Sequence, residues 1–158
     1  MRLLTIPALL AAISWQAGAL AEEPQQLVLW PAGMPGPVFS YSPPELVEKK
    51  DGLSRRTNVS RPRLFVFQPP EGVPKSGAAV IVVPGGGLGR LADEHEGSEA
   101  CTWLARQGVV SFQLAYRTPT TMHAEPYLGP SQDVQRAVSV VRARAAEFGL
   151  KADKIGVL

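Results

Sequence analysis

Four short apolar runs, separated by turn residues and amphipathic stretches, organise this chain. Leu64-Phe65-Val66-Phe67 leads to Pro69-Pro70, and Val80-Ile81-Val82-Val83 opens directly into Pro84-Gly85-Gly86-Gly87. Val109-Val110-Ser111-Phe112-Gln113-Leu114 follows Gly108, and the fourth run is Lys154-Ile155-Gly156-Val157-Leu158. Short apolar runs rich in β-branched residues and bounded by turn signals predict strands, and the most continuous of them predict strands buried on both faces. Between the second and third runs, Leu91 to Gln107 predicts a helix that ends at Gly108. Between the third and fourth, Val134, Ala137, Val138, Val141, Ala145 and Phe148 recur at the spacing of one buried helical face. That spacing predicts a helix over 133–148, stopped by Gly149 as a C′ residue. Strands alternating with helices are the signature of βαβ units, so the expected class is α/β.

The N-terminus has a different pattern. Arg2 precedes the apolar stretch Leu3 to Ile13, and Ala19-Leu20-Ala21 supplies small residues around a cleavage site before Glu22. Residues 1–21 therefore read as a secretory signal peptide, which predicts a secreted or periplasmic product and no membrane association after cleavage. The apolar stretch is shorter than the roughly 20 residues a bilayer-spanning helix needs. Cleavage after Ala21 would leave 158 − 21 = 137 residues. Prolines from Pro31 to Pro44 forbid regular helix, so residues 22–60 are expected to form a Pro-rich arm ahead of a globular part over 61–158.

Charge narrows the class further. The 16 basic and 14 acidic residues nearly cancel, with no concentrated basic patch, which argues against nucleic acid as a partner. Arg55-Arg56 and Arg142 with Arg144 read as solvated faces. The single cysteine, Cys101, permits no intramolecular disulfide, and its neighbours Ala100, Trp103 and Leu104 place it in the core as an inert thiol. Asn58-Val59-Ser60 matches a glycosylation acceptor, a pattern common by chance.

Three places hold candidate chemistry. The first is the glycine loop after Val83, where residues without Cβ can take positive φ and turn their amides toward a ligand. Gly85-Gly86-Gly87-Leu88-Gly89 lacks the full dinucleotide spacing and the Lys-Ser/Thr of a phosphate loop, and by itself can be no more than a tight turn after a strand. The second is Asp93-Glu94-His95-Glu96, whose side-by-side spacing disfavours a metal site. Asp93 or Glu94 is expected to cap a helix start, with His95 bonded to backbone near the glycine loop. The third is Tyr116-Arg117, expected to fix a loop, with His123 exposed in the loop from Thr118 to Pro130 and Asp133 serving the start of the long helix.

Asn58 to Pro62, Pro84 to Gly87, Asp93-His95-Glu96-Gly97, Tyr116-Arg117, Gln132-Asp133-Gln135-Arg136-Ala137 and Asp153 to Val157 together resemble the secreted esterase/lipase branch of the α/β-hydrolases, near the acetylxylan-esterase-like proteins of bacteria. The resemblance runs from Leu29 to Leu158. It implies an α/β-hydrolase sheet, mostly parallel with helices on both faces, of which residues 61–158 are the N-terminal portion and therefore incomplete. In that family the strand matching Ile155 to Leu158 runs into a G-x-S-x-G nucleophile elbow, with the acid and histidine farther on. No G-x-S-x-G occurs between Met1 and Leu158, so no catalytic triad member is expected within the chain. An α/β-hydrolase domain also takes on the order of 200 residues.

By the same resemblance, Gly86 and Gly87 are the expected backbone donors of an oxyanion hole, with Pro84 where many relatives carry histidine. The implied activity is a serine carboxylesterase, acting on small-molecule or polysaccharide esters as a carbohydrate deacetylase, without cofactor or metal. The chain alone is expected to be inactive. The alternative is a non-catalytic, truncated or degenerate domain that works through a partner chain or self-associates along an unpaired strand edge.

Overall fold

The computed structural model describes residues 24–35 and 43–158, so the signal-peptide reading of residues 1–21 lies outside the described residues. The described residues form seven strands: β1 (Gln26–Val28), β2 (Leu46–Lys50), β3 (Leu53–Thr57), β4 (Arg63–Phe67), β5 (Ala79–Val82), β6 (Val110–Ala115) and β7 (Ile155–Val157). The four apolar runs become β4, β5, β6 and β7, each within a residue or two of its sequence pattern. They join β1 in a five-stranded sheet of order β1-β4-β6-β5-β7, while β2 and β3 pair as a separate hairpin. The pairings of β6 and β7 with β5 are parallel, as βαβ crossovers require, and those of β4 with β1 and β6 are antiparallel. The described sheet is thus mixed, its parallel half lying where the glycine loop emerges.

Strand β6 is central, and every residue in it is buried. Successive side chains of a strand point to opposite faces, so its partners identify the two layers. Ser111 Oγ donates to Cys101 O at 2.8 Å and Gln113 Nε2 to Asp93 O at 2.9 Å, both on the helical segment between β5 and β6. Phe112 meets Phe148 edge to face on the opposite side, ring centroids 5.3 Å apart at 85°. An aromatic pair of this geometry adds about 0.5–1.5 kcal/mol beyond the area it buries. Leu64, Ile81, Leu114 and Val141 complete this core. Helices therefore cover both faces, which is the α/β arrangement expected of the sequence.

The helices differ in detail from their sequence patterns. The segment expected over 91–107 divides into a π-helical turn, Asp93–Ser98, and α1, Glu99–Arg106. Gly97 lies within that turn because a Cβ there would meet Gln113 Nε2 at 2.5 Å and Pro84 Cγ at 3.2 Å. The second helix, α2, spans Leu128–Ala143 and so begins a full turn before the expected Asp133. Gly129 and Pro130 read as breakers in the sequence, yet proline in a first helical turn removes only an N–H that has no intrahelical partner. After Arg144 the chain tightens into a 3₁₀ turn, Ala145–Phe148, and Gly149 closes it in the left-handed region at φ +68°.

The proline-rich region also contains regular structure. Of residues 22–60, expected as an arm, the described ones hold β1 within the main sheet and the β2–β3 hairpin, whose end is tied to the core by two backbone bonds between Arg56 and Leu91. Farther along the same region, Pro35 O accepts a bond from Arg117 Nη1 at 3.1 Å.

Candidate functional site

Strand β5 ends at Val82 and the chain turns through Pro84 to Leu91 before the π-helical turn. The position follows from topology: the connection leaving β5 goes to β6 on one side, and the connection leaving β6 crosses to β7 on the other. Ligands of open α/β sheets bind outside the carboxyl ends of strands at such a reversal. The loops after β5 and β6 meet there, with Thr118 Oγ1 and the Thr120 amide both donating to Leu88 O at 2.9 Å.

The loop backbone is set by steric permission. Gly89 N donates to Gly86 O at 3.3 Å, closing a turn whose central residues, Gly87 and Leu88, both have φ +62°. Positive φ at both central positions is the type I′ signature. Leu88 is there at a cost, since a non-glycine residue in the left-handed region is strained by about 1–2 kcal/mol. Gly86 is held more tightly: its φ is +142°, and a Cβ on it would fall on the Arg90 carbonyl. Strain of this kind gathers where surrounding bonds enforce it and function uses it.

Those bonds can be followed along the loop. Tyr116 Oη donates to Pro84 O at 2.9 Å, Ala92 N to Gly85 O at 2.8 Å, and Gly85 N to Glu96 Oε2 at 2.7 Å. Burial, and then the charge of Glu96, raise the Tyr116 pKa above a value that already leaves a phenol protonated and donating at neutral pH. The amides of Gly86 and Gly87 contrast with these groups, because neither has an acceptor among the described residues and both glycines are exposed. Two free amides on a braced, glycine-only turn can receive an anionic oxygen.

The acidic run beside the loop has different duties from those its sequence suggests. Neither Asp93 nor Glu94 caps a helix, for the N-cap position is Ala92 and has no side-chain cap. Asp93 instead pairs with Arg56, Nε to Oδ1 at 2.8 Å, and also accepts Gln113 Nε2 at 3.0 Å. Glu94 pairs with Lys49 at 3.0 Å. The bond to the glycine loop expected of His95 is made by Glu96, and His95 Nε2 lies 3.7 Å from Glu96 Oε1.

Arg56 is likewise not a solvated residue. Its side chain is 13% exposed, bridges Asp93 and Glu45, and stacks 4.8 Å over the Phe65 ring. Burial alone would lower its pKa, but the bonds to Asp93 and then Glu45 outweigh that and raise it. Arg55 is half-buried, with Nη1 on Lys50 O at 3.2 Å, and Arg144 pairs at the surface with Glu147 at 2.7 Å.

Arg117 and Asp133 form a fully buried pair. Asp133 Oδ1 accepts Arg117 Nη2 at 2.9 Å and Trp30 Nε1 at 2.8 Å, while Oδ2 accepts the Arg117 amide at 2.9 Å. Arg117 also donates to Gly129 O and Gln132 Oε1, each at 3.1 Å. Asp133 therefore joins three chain segments from the second turn of α2, rather than stabilising a helix start. The sequence held one overlooked signal: Asp133 lies on the same stripe as Ala137 and Val141, where an acid must be buried and paired.

Cys101 is buried, and burial pushes its thiol up to about 12, leaving negligible thiolate at neutral pH. His123 is half-buried in the loop after β6, where its backbone amide donates to Thr120 O at 3.0 Å. No described helix is long and apolar enough to cross a membrane.

Comparison with known proteins gives this geometry a context. No protein-family model matches the sequence. An acetylxylan esterase of Xylanibacter ruminicola is 35% identical over 83 residues, covering 52% of this chain and 16% of that protein. Endo-1,4-beta-xylanase B of Butyrivibrio fibrisolvens is 29% identical over 97 residues, 61% of this chain and 15% of that one. Among solved structures, an acetyl ester-xyloside bifunctional hydrolase from Caldicellulosiruptor lactoaceticus superposes with TM-score 0.60 at 25% identity, over 88% of this chain and 43% of its own. Thermogutta terrifontis esterase 2, phosphoramylated by tabun, shares the fold with TM-score 0.51 at 22% identity, over 75% of this chain and 43% of its own. The chain thus spans less than half of these relatives. A strand opening into glycines, parallel pairing around it and these likenesses lead to one placement: the chain carries part of an α/β-hydrolase fold and is similar to esterases of that fold.

Proposed function

We propose that this chain is part of a serine carboxylesterase that removes acyl groups, acetyl foremost, from carbohydrate, and that it supplies the enzyme's oxyanion loop. The observation that carries the proposal is the pair of exposed Gly86 and Gly87 amides, free of described acceptors on an otherwise braced loop. In ester hydrolysis a serine Oγ attacks the carbonyl carbon and passes its proton to a histidine. The carbonyl oxygen then carries a negative charge, which the two amides stabilise. Collapse of this intermediate expels the alcohol and leaves an acyl-enzyme, which water hydrolyses to the carboxylic acid and free serine. The chain's residues supply electrostatic stabilisation but no nucleophile, since no G-x-S-x-G occurs within Met1–Leu158. The serine, acid and histidine are accordingly assigned to sequence outside these residues, and the signal-like N-terminus assigns the enzyme to the secreted or periplasmic space. Carbohydrate as substrate rests on the names of the acetylxylan esterase and the acetyl ester-xyloside hydrolase.

A second reading draws on β7, which pairs only with β5 among the described residues and leaves Val157 51% exposed. In that reading the domain is non-catalytic and another chain completes its sheet. Treatment of the complete gene product with a fluorophosphonate, followed by assay on p-nitrophenyl acetate, separates the two. The esterase reading expects one labelled serine in a G-x-S-x-G context and loss of turnover on labelling. A product with neither label nor turnover contradicts it.

A further inference from the structure

We infer that Glu96 is a positioning residue of the oxyanion loop, its carboxylate fixing the Pro84–Gly85 peptide so that the two following amides face the reacting oxygen. The inference rests on the esterase reading above and adds a residue outside the expected catalytic set. Glu96 Oε2 accepts the Gly85 amide at 2.7 Å, within the range of a charge-assisted bond. The carboxylate is close enough that a Cβ on Gly85 would lie 2.6 Å from the same oxygen.

Glu96 sits in the π-helical turn Asp93–Ser98, and single π turns often mark functional positions. Two contacts hold that turn against the loop: Gln113 Nε2 grips Asp93 O from β6, and Gly97 lets Pro84 approach. Tyr116 grips Pro84 O from the other side. The peptide preceding the two free amides is therefore clamped at both ends, by a phenol on its residue-84 carbonyl and a carboxylate on its residue-85 amide. Of the two, the carboxylate acts nearer the donors. Without it the Gly85 peptide can rotate, and flexible glycines offer the backbone nothing to resist.

The test compares Glu96→Ala and Glu96→Gln in the complete gene product, by hydrogen exchange of the 84–92 segment and by kinetics on p-nitrophenyl acetate. Glutamine keeps an acceptor oxygen at the same reach, whereas alanine removes it. Expected are faster exchange of the segment in Glu96→Ala, about a tenfold lower kcat with KM within twofold, and recovery of most of kcat in Glu96→Gln. Unchanged exchange in Glu96→Ala overturns the clamp whatever the activity. Faster exchange with unchanged kcat overturns the positioning role while leaving the esterase reading intact. A wild-type product without esterase activity removes both.

Discussion

Two polar assemblies lie at the carboxyl ends of β5 and β6, and they treat their hydrogen-bonding groups in opposite ways. Around Arg117 and Asp133 both side chains are fully buried and every charged atom has a partner: Trp30, Gly129, Gln132, Pro35 or each other. Around the glycine loop the carbonyls of Pro84, Gly85, Gly86 and Leu88 and the first amide are bonded, while the amides of Gly86 and Gly87 are exposed and have no acceptor among the described residues. A buried charge without a partner is expensive, so the first assembly is complete and static. An amide that must meet a transient negative oxygen gains from standing ready and unpaired. Closed and open polarity thus stand side by side, joined where Thr118 Oγ1 donates to Leu88 O.

Breaking the buried assembly should have the largest effect. Asp133→Ala strands Arg117 in the core and is expected to destabilise the complete product by about 3–5 kcal/mol in urea unfolding. The double variant Arg117→Met, Asp133→Leu should recover only part of that loss, because it removes the stranded charge but leaves Trp30 Nε1 and the residue-117 amide without their acceptor. Little loss in the single variant would mean that the pair is not the closed unit described.

The open assembly should respond in rate more than in stability. Gly86→Ala directs a Cβ onto the Arg90 carbonyl and turns the proposed oxyanion donor aside, so kcat on p-nitrophenyl acetate should fall about 10²–10³-fold. Its unfolding midpoint should shift less than that of Asp133→Ala. Equal kcat in Gly86→Ala and wild type would erase the contrast between the two regions.

A smaller effect separates the hairpin's ion pairs from the buried pair. Burial alone would raise the Glu45 pKa, but hydrogen bonds from Arg63 and then Arg56 bring it below the ordinary 4.5. A carboxyl depressed in the folded state contributes stability that is complete above pH 4.5 and lost as pH falls through the folded value. The contribution should be no more than about 1 kcal/mol, because solvent screens a partly exposed pair. Glu45→Gln should flatten stability against pH below 4.5 and leave it unchanged elsewhere; an unchanged acid limb would remove Glu45 as its source. Smallest of all is the expected response of Cys101, with its thiol pushed up to about 12: iodoacetamide at pH 8 should modify it only after unfolding.

The fold was largely legible in the sequence because its signals are local. Val80 to Val83 opening into glycines, the six-position stripe from Val134 to Phe148, and Gly108 and Gly149 as stops each state an element through periodicity or steric permission. Polar partnerships were much less legible. Glu96 meets Gly85 across eleven residues and Trp30 meets Asp133 across 103, and no spacing rule announces pairs that only tertiary packing creates. Arg56 resembled a surface charge because its partners, Glu45 and Asp93, come from separate segments. The start of α2 was obscured by Gly129-Pro130, which local preference reads as a break although a first turn tolerates proline. The proline-rich region hid β1 in the same way, since three residues at a sheet edge leave no periodic trace.

The most direct test of the oxyanion assignment is a crystal structure of the complete gene product after reaction with a phosphonate that mimics the tetrahedral intermediate. The account predicts a phosphonyl oxygen about 2.7–3.1 Å from both Gly86 N and Gly87 N, with Glu96 still bound to the Gly85 amide. A phosphonyl oxygen held by other amides, with Gly86 and Gly87 facing away from it, would contradict that assignment.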